Sequence, residues 1–245
     1  MKWAQGRIVR KRVWSEGLFT IVVDVPGVDE FEAGQFLQLG LQQDEKHIHR
    51  PYSVASPHGR ELDFFIVLVE NGALTPLIWE LGEGDELDVS TRAAGSFTLS
   101  HCPDAQTLWL MATGTGLAPY VAMLRTEDVW DRYDQVVVVH GVRYSRDLAY
   151  QDEFEQHRLR LQNRFRYIPI ISREELDESL KGRITANISS GELEDLVGRQ
   201  IDSDSCIMLC GNPDMLDETE QLLGERGLRR HKKKEPGQIV VERYW

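Results

Sequence analysis

The sequence predicts two domains of different class: an antiparallel β-barrel, then an α/β domain built on a parallel sheet. Three observations predict this. Before about residue 101, short alternating apolar runs are separated by turn dipeptides. From Thr107 on, continuous apolar runs alternate with stretches of helical period, as expected of strands buried on both faces. A length of 245 residues, against roughly 150 for a typical domain, allows one or two domains. The boundary falls near residues 101–106, so the domains are expected to span 1–101 and 102–245.

In the first domain, Phe19–Val25 alternates and stops at Pro26-Gly27, and Gln35–Leu39 follows Ala33-Gly34. Leu62–Val69 runs toward Asn71-Gly72, and Glu86–Val89 follows the turn Gly82–Asp85. Leu74–Leu81 reads as one or two helical turns, with Thr75 as N-cap and Pro76 at the first helical position. In the second domain, strands are predicted at Leu108–Ala112, Gln135–His140, Phe165–Ile171 and Cys206–Cys210. Helices are predicted at Pro119–Arg125, Asp147–Gln162, Gly191–Val197 and Pro213–Glu225.

Composition excludes several classes. With 41% hydrophobic and 28% charged residues, the chain reads as an ordinary globular protein large enough to need no staple. No window holds 18 consecutive apolar residues, and Met1–Arg7 lacks the apolar segment of a signal peptide, so a cytoplasmic protein without membrane association is expected. Three cysteines, Cys102, Cys206 and Cys210, match neither a disulfide framework nor a zinc pattern, and no metal is expected. Cys206 and Cys210 would lie roughly 13 Å apart along one strand, too far for a bridge.

The net charge of −12 hides an asymmetry. Residues 1–12 hold five basic side chains (Lys2, Arg7, Arg10, Lys11, Arg12), and residues 226–234 hold six (Arg226, Arg229, Arg230, Lys232, Lys233, Lys234); neither segment has an acid. The remainder carries 17 basic and 40 acidic residues, or −23. The clusters suit docking of an anionic partner, the alternative being a solvated tail and a charged strand. Nucleic-acid binding has little support, because the chain is acidic overall and carries no motif for it.

Ligands of an open parallel sheet bind beyond the carboxyl ends of its strands. There the sequence places Thr113-Gly114-Thr115-Gly116, Gly141-Val142-Arg143, Ser172-Arg173 and Gly211-Asn212-Pro213. The glycines permit close approach to a phosphate, although a tight strand–helix turn would use them equally. Arg143, Arg173 and Arg183 would meet at one sheet edge. Three guanidinium groups suit a phosphate monoester such as the 2′-phosphate of NADP, and no acidic ribose-binding residue comes after the second strand to favour NAD. In the first domain, Arg50-Pro51-Tyr52-Ser53 joins an arginine, an aromatic and a hydroxyl within four residues. Alternation puts Arg50 and Tyr52 on one side, able to address a flavin's pyrophosphate and ring; an ordinary edge strand is the alternative.

Arg50-x-Tyr52-Ser53, preceded by Ala33-Gly34-Gln35-Phe36 and followed by Gly114-Thr115-Gly116-x-x-Pro119 and Cys210-Gly211-Asn212-Pro213, resembles the ferredoxin–NADP reductase family. The likeness runs from about Gly6 to the last residue and is closest to compact bacterial ferredoxin/flavodoxin–NADP reductases ending in Tyr-Trp. Two positions depart from other members: Val54 follows Ser53 where some have a second tyrosine, and Ala94-Gly95-Ser96 replaces a Gly-x-x-Ser loop. The resemblance implies an FAD-dependent enzyme transferring electrons between NADP(H) and a small acidic carrier, ferredoxin or flavodoxin, by hydride transfer at flavin N5. A flavin or oxygenase reductase, or a redox sensor without turnover, are the alternatives. A monomer is expected.

The same resemblance implies site residues. Arg50, beside Pro51, would neutralise the FAD pyrophosphate, Tyr52 would pack on the isoalloxazine and Ser53 would hydrogen-bond N5. Phe65, Ile66, Val67, Leu68, Ala73, Leu74 and Thr75 would line the flavin, with Thr115 near the ring. Val142, Arg143, Ser172, Arg173 and Arg183 would hold the 2′-phosphate end of NADP, and Cys210, Gly211 and Asn212 would lie beside the nicotinamide. Cys210 is assigned to shaping that pocket rather than to covalent chemistry, because it has no visible base or metal partner. The C-terminal tail would return to the flavin: Tyr244 near its exposed face, Trp245 against the adenine, and Glu242 handling a proton in the reduced state.

Overall fold

The computed structural model describes residues 1–244. Its strands and helices divide between two compact units, residues 1–99 with 118–126, and residues 100–117 with those from 127 on.

The first unit contains β1 (Trp3–Ser15), β2 (Leu18–Asp24), β3 (Phe36–Gln43), β4 (Lys46–Ser53), β5 (Glu61–Val67), α1 (Thr75–Glu80) and β6 (Glu86–Ser90). The strands form one antiparallel sheet in the order β4-β3-β6-β1-β2-β5. Its two end strands meet: Val54, just beyond β4, bridges Phe64 of β5, and Ala55 N–H donates to the Asp63 carbonyl at 2.8 Å. The sheet therefore closes on itself, removing its free edges. Ile8, Phe19, Ile21, Leu37, Leu39, Phe64 and Val89 fill the barrel and are inaccessible to solvent.

β1 has no counterpart among the predicted strands. Only Gly6 and Ile8 are buried along its 13 residues, and a register shift comes after Ile8, so no alternation survives in sequence. Its basic residues cover apolar surface instead. Lys11 lies over the rings of Phe19 and Trp79, and its ammonium donates to the carbonyls of Trp79 and, at 2.7 Å, Leu81. An amphipathic stem with a polar tip is thereby used to close the C-terminal end of α1. At the other end of α1, the residue in the cap position is Leu74, not Thr75 as predicted. The Thr75 hydroxyl turns instead to Val69, accepting from its N–H at 3.0 Å and donating to its carbonyl at 3.2 Å.

The second unit holds β7 (Thr107–Thr113), α3 (Asp128–Arg132), β8 (Gln135–Val142), α4 (Gln151–Leu161), β9 (Phe165–Ile171), β10 (Leu180–Lys181), α5 (Ile184–Ser190), α6 (Glu192–Val197), β11 (Ser205–Gly211), α7 (Pro213–Glu225) and β12 (Ile239–Arg243); α2 (Ala118–Leu124) counts with the barrel. Just beyond α2, Arg125 binds the barrel through the Asp63 carboxylate (2.8 Å) and the Ala55 carbonyl (3.0 Å), whereas the sequence pattern assigns this segment to the second domain. All six strands of the second unit are parallel, in the order β10-β9-β8-β7-β11-β12. The central strands β7, β8 and β11 read as apolar runs because both of their faces are covered; Trp109, Met111, Val137, Val139, Ile207 and Leu209 are wholly buried.

α7 occupies the predicted span. Asn212 caps it, its Oδ1 accepting from Asp214 N–H (2.8 Å) and Met215 N–H (3.3 Å), with Pro213 at the first position. α4 starts at Gln151 rather than Asp147, because Tyr150 adopts a left-handed conformation, φ 60°, that breaks the helix before it. No helix of the described residues is long and apolar enough to cross a membrane.

Candidate functional site

Strand order in the parallel sheet reverses between β7 and β11: one course runs outward through β8, β9 and β10, the other through β12. The carboxyl ends at such a reversal frame the ligand crevice of an open sheet. Two segments, Thr113–Gly116 and Cys210–Asn212, meet there under tight steric control. Gly211 has φ +129°, and a Cβ on it would stand 2.2 Å from Thr113 Oγ1. A Cβ on Gly116 would stand 2.6 Å from the Cys210 carbonyl oxygen. Thr113 Oγ1 also accepts from the Asn212 N–H at 2.8 Å. These contacts explain Gly116 and Gly211 by the close approach of two backbones, the tight-turn alternative that the sequence leaves open. Gly114–Leu117 forms a short 3₁₀ turn with Thr115 buried in it.

A side chain outside the sequence prediction supports that turn. His140, wholly buried on β8, bonds the Gly114 carbonyl through Nε2 at 3.0 Å. A carbonyl only accepts, so Nε2 carries the proton of the neutral ring, and Tyr167 Oη donates to Nδ1 at 3.3 Å. Burial pushes the His140 pKa down to about 4, and that of Tyr167 upward, so both keep these states at neutral pH. In sequence His140 only closes an apolar run, which gives no sign of its partner.

The predicted NADP residues occupy neighbouring strand ends. Ser172 N–H donates to the Val142 carbonyl and Arg173 N–H to the Arg143 carbonyl, each at 3.0 Å, continuing the β8–β9 pairing past both strands. Gly182 N–H reaches back to the Ile171 carbonyl at 2.9 Å and brings Arg183 beside them. Val142 is buried, whereas Arg143, Ser172, Arg173 and Arg183 are exposed. Among the described residues none of the three arginines forms an ion pair, although acids abound on this chain. Three fixed cations without acid partners fit a phosphate monoester bearing close to two negative charges.

The predicted flavin residues lie on the two strands that close the barrel. On β4, Arg50 is exposed, without an acidic partner among the described residues, and bonds only the carbonyl of its neighbour His49 (2.7 Å). Such an arginine suits a diphosphate. Pro51 is tolerated because β4 needs few outward N–H groups at its end of the sheet. Tyr52 is half-buried against the barrel core, and burial pushes its hydroxyl up to about 12 despite Arg50 pulling the other way, so it stays neutral. Ser53 is buried immediately before the closing bridge. On β5, Phe65 and Ile66 are buried and Val67 is exposed, with Leu68 N–H bonded to the Gly17 carbonyl at 2.6 Å. Of the α1 group, Leu74 is buried and Ala73 exposed, and Thr75 holds Val69 as described above.

Two family models match the chain in this order: Oxidoreductase FAD-binding domain over residues 5–98 and Oxidoreductase NAD-binding domain over residues 110–221. The flavodoxin/ferredoxin–NADP reductase of Escherichia coli (strain K12) is 40% identical, with 99% of each chain covered. The chain belongs to the flavodoxin/ferredoxin–NADP reductase family. The ferredoxin–NADP reductase of Azotobacter vinelandii is 36% identical over 97% of this chain and 95% of its own. Among solved structures, a ferredoxin NADP+ reductase from Neisseria gonorrhoeae with bound FAD and NADP superposes with a TM-score of 0.94 at 28% identity, covering all of both chains.

In this flavodoxin/ferredoxin–NADP reductase family member, β12 lies beside β11, pairing Cys210 with Glu242 and Gly211 with Arg243. Burial and the Glu242 carboxylate push the Cys210 thiol well up, against a hydrogen bond from Tyr244, so sulfur is present as the thiol and not as a nucleophile. Glu242 and Tyr244 are half-buried; Trp245 lies outside the described residues. The basic clusters are partly neutralised within their own units. Arg7 pairs with Glu86 (2.9 Å), Arg10 with Glu61 (3.6 Å), Arg226 with buried Glu194 (2.7 Å), Arg230 with Glu220 (3.9 Å) and Lys232 with Glu235 (3.2 Å). Lys233 and Lys234 remain exposed.

Proposed function

We propose that this chain moves electrons between NADPH and a small acidic one-electron carrier, a ferredoxin or flavodoxin, with FAD as resident cofactor. The observation that carries the reading is the set of three acid-free guanidinium groups on adjacent strand ends of the NAD-binding half. In NADPH binding, Arg143, Arg173 and Arg183 would grip the 2′-phosphate, with Val142 and Ser172 fixing the strand ends beneath them. Cys210, Gly211 and Asn212, at the sheet's reversal point, would border the nicotinamide, and Thr115 would sit near the rings.

Bound FAD would supply the conversion between a two-electron hydride donor and a one-electron carrier. The barrel's part is to hold and orient it. Arg50 would neutralise the diphosphate, and Tyr52, kept neutral by burial, would pack on the ring. Ser53 would offer its hydroxyl to the ring nitrogen that receives hydride. Phe65, Ile66, Val67, Leu68, Ala73, Leu74 and Thr75 would line the ring. Glu242, Tyr244 and Trp245 would complete the site from the C-terminal end, Glu242 as a proton carrier. The exposed part of the basic clusters would receive the carrier's acidic face, and the working form is a cytoplasmic monomer.

The test is spectroscopic and kinetic. The purified protein should be yellow, NADPH should bleach its flavin bands, and a supplied ferredoxin or flavodoxin should then be reduced with turnover. A colourless protein that binds no FAD would overturn the reading. Bleaching without carrier reduction would leave a sensor or a flavin reductase instead.

A further inference from the structure

We infer that Asn187 strengthens the preference for NADPH over NADH from behind Arg183, as a positioning residue. The inference rests on the proposed contact of Arg183 with the 2′-phosphate.

Asn187 lies on the first turn of α5 and is 1% exposed. Its side-chain Nδ2 donates to two backbone carbonyls, Lys181 at 3.0 Å and Arg183 at 2.9 Å, while its own N–H reaches the Arg183 carbonyl at 3.2 Å. The amide orientation is set by these partners, because two carbonyls can be met only by an NH₂ group. Its Oδ1 is buried and finds no hydrogen-bond partner among the described residues. A polar group left so in the interior destabilises the fold, a loss that leucine at this position would not incur. The two donated bonds are what offsets that cost.

What they hold is one turn. Gly182 sits between the two bonded carbonyls with φ +100°, a conformation that residues with a Cβ rarely adopt. The Gly182 N–H is tied to β9 through the Ile171 carbonyl at 2.9 Å. Asn187 ties the other side, so the turn is clamped from both ends and the direction in which Arg183 leaves it is fixed. Arg183 occupies the cap position of α5 in an extended conformation, and its side chain makes no cap hydrogen bond. Arg183 has no acid partner among the described residues, so what the turn fixes is the point and direction from which its side chain starts. A preformed cation loses little freedom on binding a phosphate, and a loose one loses more. Adenosine without a 2′-phosphate would be indifferent to the difference.

The experiment compares Asn187→Leu, Asn187→Asp and Arg183→Ala with the parental holoenzyme. The readouts are the separate KM and kcat values for NADPH and NADH, and binding of 2′-phospho-AMP against AMP. Asn187→Leu keeps the branched shape with somewhat bulkier ends and removes both donors, and Asn187→Asp keeps the size. Asn187→Leu should raise the NADPH KM about five- to tenfold, the scale of one or two lost neutral hydrogen bonds, with NADH kinetics and NADPH kcat unchanged. Asn187→Asp, which cannot donate and places a carboxylate against two carbonyls, should do at least as much. Weakened 2′-phospho-AMP with unchanged AMP should accompany both. Equal losses for the two nucleotides, or no loss in Asn187→Leu, would overturn the inference. Should Arg183→Ala itself leave NADPH untouched, the fault lies with the 2′-phosphate reading. If Arg183→Ala loses NADPH selectivity while both Asn187 variants keep it, that reading stands and the positioning role of Asn187 fails.

Discussion

Arg173 continues β9 by its backbone and, among the described residues, leaves its guanidinium without an acid, so removing that group should change phosphate recognition without disturbing the strand. Arg173→Ala is expected to lower kcat/KM for NADPH about 10- to 100-fold, the worth of charge-assisted hydrogen bonds, and to leave NADH nearly unaffected. Steady-state kinetics with both nucleotides decides it, equal losses showing that this arginine does not read the phosphate. His140 gives a prediction of another kind. Its pKa falls from 6.5 to about 4 on burial, so below pH 6.5 the unfolded chain takes up a proton that the folded one refuses. Its contribution to stability is therefore complete above pH 6.5 and is lost as the pH falls toward 4. In urea titrations across that interval, His140→Gln should lose a slope of about 1.4 kcal/mol per pH unit relative to the parent. An identical slope in both proteins would mean that His140 is already protonated in the folded state.

At the scale of elements, the Thr113–Gly211 contact ties the end of β7 to the end of β11, at the one place where strand order reverses. Gly211→Ala forces a Cβ onto Thr113 Oγ1 and a strained φ, which should cost about 1–3 kcal/mol in chemical denaturation. Thr113→Ser keeps the hydroxyl that receives Asn212 and should cost far less. How much of this is legible in the sequence varies with the kind of signal. β7, β8 and β11 declare themselves as apolar runs because burial on both faces leaves little room for polar residues, and β9 by its apolar end, Ile168–Ile171. α7 is marked at its start by Asn212-Pro213 and is readable residue for residue. β1 is not, because its residues mostly face solvent and its burial is broken by a register shift. β12 escapes for a related reason: Val240, Val241 and Glu242 are only half-buried at the sheet's edge. Arg143 and Arg173 are found by inspecting the residues just past the carboxyl end of each predicted strand, and Arg183 by its place on the loop that follows closely. Asn187 is not, since its meaning lies in two carbonyls that a turn and a helix bring to it.

At the scale of the molecule, charge determines how a partner arrives. Among the described residues Arg226, Arg230 and Lys232 of the C-terminal cluster pair with acids, so its long-range field rests on Arg229, Lys233 and Lys234, of which the two lysines make no side-chain bond there. Replacing both with glutamine should slow reduction of an acidic carrier at about 0.01 M ionic strength, and the gap should narrow near 0.15 M as the Debye length shrinks from about 30 to about 8 Å. Stopped-flow rates at both salt concentrations test this, and parental rates at low salt would place docking elsewhere. The barrel's closure has its own consequence. β1 and β2 are joined along most of their length, but β4 and β5 meet over a short join, through Val54–Phe64, Ala55–Asp63 and the Asp63 N–H that donates to Ser56 Oγ at 3.1 Å. Arg125 spans that short join, gripping the Asp63 carboxylate and the Ala55 carbonyl together. In deuterated water the Ala55 amide should therefore exchange sooner than those of Ile21 or Val23, and sooner still once Arg125 is removed. The cylinder would breathe like a cuff, along a seam fastened by one button.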